Sequence, residues 1–488
     1  MKRVWCALIA AALLCGCRKA PEARAIQSAV DALGGKEKIQ AIKTLTIEGE
    51  GENGNLGQNM TPESPLTIWK VAGFKQTLDY DNRRMRTEQI RTAQFPFALA
   101  SVADQSLSVD HDVAWNKTDG QISARLSDQA AHDRQLEMLR HPVTILRAAL
   151  DPASKLSNLR QQENHQAVDI TTAAGLMVTL AMDPGTHLPL SVTSLTDQPN
   201  LGDVAVETTF ADYQDVGGLK LPMQLTTKVD KWVQSDIRVS RYTLNPNAGD
   251  LAASSAMKSA LAAPAVAPVD VKVEQIAKGI WWLAGTGNHR SVAFEFADHL
   301  TLFELPESEA RARAVIERAH SLKFGKPLTE VIISHHHFDH SAGLRVAVAE
   351  GLTIITYRSN LAFFKDLAGR KHTLIPDPLA RNPTAQAIKL KAVDDELVLK
   401  DSAMELDLYH VKDNSHTDTL LMGWVPAEGI LVQADLYDSG WPKQPWADNL
   451  IHNVELRKLR PQKDVPIHGE VQPWTEVLQT LKQKGQGK

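Results

Sequence analysis

The sequence predicts two unlike domains in series: an antiparallel, β-rich N-terminal half carrying a few helices, and an α/β C-terminal half. Three observations predict it. From about Leu45 the apolar pattern takes period two and is broken by tight-turn residues. Residues 246–268, PNAGDLAASSAMKSALAAPAVAP, shift abruptly to alanine, serine and proline, the composition of a linker with room for one short helix. Beyond it, strand-like and helix-like runs alternate, which is the pattern of an α/β sheet. With 488 residues, 43% of them hydrophobic and 23% charged, the chain can build more than one large core.

The elements follow in order. Lys2 and Arg3 precede an apolar run from Val4 to Leu14, a secretory signal too short to span a membrane as a mature helix. It ends Leu14-Cys15-Gly16-Cys17, which resembles the bacterial lipoprotein processing box. That resemblance makes residues 1–17 a lipoprotein signal peptide and Cys17 the lipidated first residue of the mature chain. It implies a bacterial cell-envelope protein, anchored by its lipid and facing the periplasm, with the outer membrane as the expected membrane. Cys6, Cys15 and Cys17 are the only cysteines, so no disulfide and no thiolate chemistry is expected after processing.

ARAIQSAVDALGGKEKIQAIKTL reads as a short helical pair: Ile26, Ala29, Val30 and Leu33 share a face, and Gly34-Gly35 stops the helix. TLTIEGEGE, LTIWKVAG, LMVTLAMDPGTHLPLSVTSL and KLPMQLTTKV read as strands, with turns at Asp183-Pro184-Gly185 and Gly217-Gly218. A helical stretch, QLEMLRHPVTILRAAL, interrupts them. The opening helix and the hairpin ETTFADYQDVGGLKLPMQLTTKVD resemble the lipoprotein-carrier-like domains of bacterial envelopes over residues 24–245. The resemblance implies a curved sheet wrapped on helices and, as one reading, a carrier of lipid or lipoprotein. The plainer reading is a β domain that packs or positions its neighbour. After the linker, KVEQIAKGIWWLAG, SVAFEFAD and LTLFEL read as strands, SEARARAVIERAHSL as an amphipathic helix, and LTEVIIS as a strand buried on both faces.

The chemistry concentrates in one place. HHHFDH puts His335, His336, His337, Asp339 and His340 within six residues. Imidazole and carboxylate are zinc ligands, but one short loop cannot fill the shell of two ions. Later segments bring more: His416 before an apolar strand, Asp435 after one, and His468 after another. Each sits where a strand meets a loop, the usual place for function in α/β proteins.

In that order the set His335-x-His337-x-Asp339-His340, His416, Asp435 and His468 resembles the metallo-β-lactamase superfamily over about residues 270–475. The resemblance implies an αβ/βα sandwich over residues 269–488 with the metals at one edge. His335, His337 and His416 would hold one ion, Asp339, His340 and His468 the other, and Asp435 would bridge them. It implies two divalent ions, zinc by ligand type, and hydrolysis by a hydroxide held between them, with Asp339 orienting the water. Two details depart from the family pattern: Ile467-His468-Gly469 stands where Gly-His-Gly is common, and Glu304 where Asp is. Ile467 matters if that position needs a positive φ.

His336 is expected to face away from the metals. Tyr437 and Asn449 are candidates for the substrate pocket, and Trp441 and Trp446 for its wall; His372, His410 and His452 are expected to be surface or capping groups. The expected substrate is a small molecule with an ester, thioester, lactone, amide or phosphodiester bond. An aspartate at 435, where one lactamase class has cysteine, turns the expectation away from β-lactams. His337 stands where the flavin-linked di-iron enzymes of this fold carry glutamate. Iron with thiol-dioxygenase activity stays open, because ligand types alone do not choose the metal. A net charge of −5 with no long basic run speaks against nucleic acid. Beyond the N-terminus no apolar stretch reaches the 18 or so residues of a spanning helix.

Overall fold

The computed structural model describes residues 20–98, 101–162, 164–264, 269–323, 325–382, 384, 387–440 and 446–484. Cys17, the expected lipidation position, and Trp441 lie outside them.

Thirteen strands between Thr44 and Leu244 form one sheet, and every neighbouring pair in it is antiparallel. The first six strands step outward from Thr44–Asn55 to one edge, and the other seven step back from the opposite edge. Trp232–Leu244 then closes against Thr44–Asn55, with Leu45 opposite Leu244 and Asn53 opposite Ser235. The turn at Gly217-Gly218 is two residues long, with φ of +61° and +78°. Two consecutive positive φ values match the twist of a hairpin and favour glycine.

One face of this sheet is covered by helices. Pro21–Leu33 lays Ile26, Ala29, Val30 and Leu33 against Leu45, Ile47, Leu78 and Met85, joined by Ile145 and Leu146 of the helix Pro142–Leu150. Each Leu, Ile, Val and Met side chain among them contributes roughly 1.5–3 kcal/mol on burial. A helix this short is marginal in water by itself, so packing holds it. The Ala/Ser/Pro stretch carries one short helix, Ser255–Ser259. Asp110, fully buried, accepts from Ala253 N at 3.0 Å and pairs with Lys258 Nζ at 2.9 Å, which fastens the short helix Ser255–Ser259 to the sheet.

The second half holds two sheets. Seven strands from Val271 to Val393 form the first, the leading pairings antiparallel and the last three parallel. Six strands from Glu396 to Pro473 form the second. Leu302/Phe303, Val331/Ile332 and Ile354/Ile355 are neighbours that point to opposite faces, as strand geometry requires. Phe303, Ile332 and Ile355 pack with Leu406, Leu408 and Val432 of the second sheet. Leu302, Val331 and Ile354 pack outward with Val315 and Ile316 of the helix Glu309–Leu322 and with Phe364 of Leu361–Gly369. Burial on both faces is why LTEVIIS shows no alternation.

This layering decides where the chain turns functional. Glu304 follows Phe303, Ser334 to His340 follow Ile332, Asp435 follows Gln433, and His468 follows Pro466. All four segments leave the C-terminal ends of strands that have parallel partners. His416 leads into Leu421–Val425, and Leu421 N donates to Ser334 O at 2.9 Å, joining the two sheets at that edge.

Candidate metal centre

Seven side chains predicted as ligands converge at this edge, in two groups that an eighth, His289, joins. In one group, ligand atoms of His335, His337, His416 and Asp435 lie within 4.8 Å of one another; in the other, those of His289, Asp339, His340 and His468 do. Asp435 lies between the groups. Its Oδ2 is 3.2 Å from His335 Nε2, 3.0 Å from His416 Nε2 and 3.0 Å from His340 Nε2; its Oδ1 is 2.9 Å from His468 Nε2. Asp435 has φ +54° and Glu304 φ +73°. Non-glycine residues in that region are uncommon, and such outliers gather at functional sites.

The second nitrogen of each ring shows how the first is aimed. His337 Nε2 lies 2.8 Å from the carbonyl of Asn59. A carbonyl only accepts, so Nε2 carries the proton and Nδ1 keeps its lone pair, 3.1 Å from His416 Nε2. His335 Nδ1 meets Ser334 Oγ at 2.9 Å, and His468 Nδ1 meets Asn288 O at 3.2 Å. His340 Nδ1 lies 3.4 Å from Glu304 Oε2, an ion-pair contact rather than an aligned hydrogen bond, while Glu304 Oε1 accepts from Ser334 N at 2.7 Å. His416 is set from its backbone: its N–H donates to Asn414 Oδ1 at 2.7 Å. Outer partners that fix the tautomer and ring of a histidine are the usual support of metal ligands.

The electrostatics agree with a cation site. Burial and the neighbouring imidazoles lower His335 to about 4, and burial together with His335 and His416 holds His337 well below the ordinary imidazole value. Both are neutral at pH 7, as ligands must be. Burial opposes ionisation of Asp435, but His340, His468 and His416 outweigh it and hold the carboxyl well below its usual range. For His340, burial is overcome by Asp435, Asp339 and Glu304, and the ring is pushed well above its ordinary value. Among the described residues no Lys or Arg pairs with Asp339, Asp435 or Glu304. Buried carboxylates matched only by imidazoles, with the buried nitrogen His335 Nε2 lacking a hydrogen bond, are what bound metal cations would satisfy. The donor set fits.

The remaining candidates lie elsewhere. His336 turns its ring to Thr419 Oγ1 at 2.9 Å and belongs to neither group. Tyr437 is buried with its hydroxyl on Gln472 at 3.2 Å. Asn449 ties the turn before His416, donating to Lys412 O at 2.8 Å and accepting from Asn414. Neither contacts the two groups; Asn449 acts through Asn414. Tyr437 is two residues from Asp435, and the positive φ at Asp435 turns the chain between them. Trp446 stacks on His416 with ring centroids 5.5 Å apart, and Phe97 of the N-terminal half meets the same ring edge-on at 4.6 Å. His410 and His372 are buried rather than on the surface, His410 stacked on Tyr357 at 3.8 Å and His372 by Asp377 at 3.6 Å, while His452 is exposed. Ile467 is absent from the positive-φ residues; its N–H donates to Gln433 O at 2.8 Å and its carbonyl accepts from Arg290 N at 2.8 Å. The departure from glycine there costs no strain.

His289 is the ligand candidate that sequence reasoning missed. Its Nε2 is 3.4 Å from Asp339 Oδ2, its ring is 4.4 Å from that of His468, and the two residues pair as an isolated β-bridge. The signal was present: it stands just before the apolar strand Ser291–Glu295, as His416 stands before Leu421–Val425.

No family model matches the sequence, and no curated protein does. Among solved structures the chain is similar to the DIM-1 metallo-β-lactamase exposed to ceftazidime, at 13% identity and TM-score 0.36 over 45% of this chain and 99% of that one. It is similar to a metallo-β-lactamase from Pontibacter korlensis, at 13% identity and TM-score 0.34 over 45% of this chain and all (100%) of that one. It is likewise similar to FIM-1 from Pseudomonas aeruginosa in its mono-zinc form, at 15% identity and TM-score 0.34 over 44% of this chain and 95% of that one. Values this low carry no inference about activity. The lipoprotein-carrier resemblance of residues 24–245 gains no support from these neighbours.

Proposed function

We propose that the chain is a metallohydrolase of the metallo-β-lactamase fold, holding two zinc ions and cleaving an ester, thioester, lactone, amide or phosphodiester bond of a small molecule. One observation carries the reading: a single carboxylate, Asp435, stands between two groups of histidines, within 3.2 Å of four different rings. His335, His337 and His416 would hold one ion with Asp435; Asp339, His340 and His468 would hold the other, with His289 beside them. A divalent pair supplies a nucleophile at neutral pH and polarises the substrate's carbonyl or phosphoryl oxygen.

The chain's own groups do the rest. Asp339 keeps its side chain 38% exposed, the most open of the predicted ligands. Burial opposes its ionisation, yet His340 and His289 keep its carboxyl well below the usual range, so at neutral pH it accepts a hydrogen bond and orients the attacking water. Phe97 and Trp446 give the substrate an apolar wall over His416. A carrier role is weaker, because the helices fill the face of the N-terminal sheet with their own side chains. We extend the proposal to the N-terminus: Lys2, Arg3, the apolar run Val4–Leu14 and Cys17 support a lipid-anchored protein of the bacterial envelope.

The test is a hydrolysis screen of the zinc-loaded protein on lactones, thioesters, phosphodiesters and β-lactams, with His337→Ala beside it. Activity that chelation removes and zinc restores, and that His337→Ala lacks, supports the reading. Equal rates for both proteins, or activity that survives complete metal removal, overturn it.

A further inference from the structure

Four consecutive residues of the N-terminal half, Gly57 to Met60, each hydrogen-bond to the ligand loops of the other half. Gly57 O accepts from Phe338 N at 3.2 Å, and Gln58 Nε2 donates to Asp339 Oδ1 at 2.8 Å. Asn59 O accepts from His337 Nε2 at 2.8 Å. Met60 O accepts from Asp418 N at 2.9 Å and Thr417 Oγ1 at 3.0 Å, the two residues after His416. The approach is as close as backbone permits: Gly57 has φ +78°, and a Cβ there would lie 2.3 Å from Phe338 Cγ. The strap is braced from its own side. Asn59 is buried, its amide holds Ser64 O at 2.5 Å, and Ser64 Oγ takes Thr61 N at 3.1 Å. Asn200, from another turn of the same sheet, donates to Phe338 O at 2.8 Å.

Docking alone would need only matching surfaces. Here two of the bonds end on the side chains of proposed ligands, Asp339 and His337. Gln58 occupies Asp339 Oδ1 and so leaves Oδ2 facing His289 and His340, each at 3.4 Å. The Asn59 carbonyl holds the proton on His337 Nε2 and so bares Nδ1. We infer that the Gly57–Met60 strap is a positioning element of the metal centre, with Gln58 orienting Asp339 for the second ion and the Asn59 carbonyl orienting His337 for the first. The N-terminal domain is then part of the metal site. This rests on the metallohydrolase reading.

Zinc binding to the full-length protein, followed by competition with a chromogenic chelator, tests it without any turnover. In Gln58→Ala the site holding Asp339 should lose about 10–100-fold in affinity while the other stays within about twofold, the size of effect that outer partners of metal ligands have. Gly57→Val should weaken both sites. Arg370→Ala, which breaks a different contact between the same halves (Arg370 Nε to Leu201 O at 2.6 Å and Nη2 to Asp230 Oδ2 at 2.9 Å), should change neither. Thermal unfolding of the metal-free proteins checks folding; should Gly57→Val fail it, Gln58→Ala decides. Gln58→Ala binding zinc like the wild type overturns this proposal alone, as does Arg370→Ala weakening binding equally. A wild type that binds no zinc overturns the reading beneath it and the proposal with it.

Discussion

Asp464 is the sharpest place to perturb the floor of the site. It lies in Lys463–Pro466, the strand that delivers His468, and faces the parallel strand that delivers Asp435. The residue is fully buried; Gln433 Nε2 reaches its Oδ2 at 3.2 Å, and Oδ1 has no hydrogen-bond partner. Burial raises its pKa to about 7. In the unfolded chain an aspartate titrates near 3.9. Between those values the folded state binds more protons than the unfolded one, so stability falls as pH rises through that window. The gap is worth about 4 kcal/mol at roughly 1.4 kcal/mol per pH unit. Asp464→Asn keeps an acceptor for Gln433 and removes the titration. The variant should match the wild type near pH 4 and exceed it progressively up to pH 7, by a ceiling of about 4 kcal/mol at pH 8. Urea unfolding of metal-free protein at several pH values is the assay. A variant advantage that is the same at pH 4 and pH 8 would refute the reasoning.

Other perturbations separate ligands from their neighbours. Glu304→Gln removes the carboxylate behind His340 Nδ1 and should weaken zinc binding at the group that holds His340 by about 10–100-fold, read by chelator competition. His289→Ala should also weaken that site, yet leave the first unchanged in the same titration. His336→Ala should keep full metal content by elemental analysis while losing roughly 1–3 kcal/mol of stability, because its bond to Thr419 is buried.

Much of the candidate centre was legible because its candidate ligands carry local signals. His335, His337, Asp339 and His340 sit together, and His416, Asp435 and His468 each flank an apolar run that becomes a buried strand. The helix Pro21–Leu33 was legible for the same reason: its apolar residues recur on one face. What escaped had no such signal. Gln58 and Asn59 meet Asp339 and His337 across 281 and 278 residues, and nothing in LGQNM announces a metal centre. Phe97 reads as an ordinary loop aromatic until the sheet brings it over His416. Tyr437 and Asn449 were expected at the pocket because the resemblance places that region there; their side chains reach Gln472 and the 412–414 turn, partners that no local pattern announces. The short helix expected within the Ala/Ser/Pro stretch is present as Ser255–Ser259, but what holds it was not legible, because the buried charge, Asp110, belongs to the sheet.

The most direct measurement is the zinc content of the purified full-length protein and of Asp435→Asn, after equilibration with trace zinc and removal of the excess. A carboxylate shared by both groups predicts about two zinc ions per chain in the wild type and fewer than about one in the variant. No zinc in the wild type, or about two in both proteins, would contradict the account.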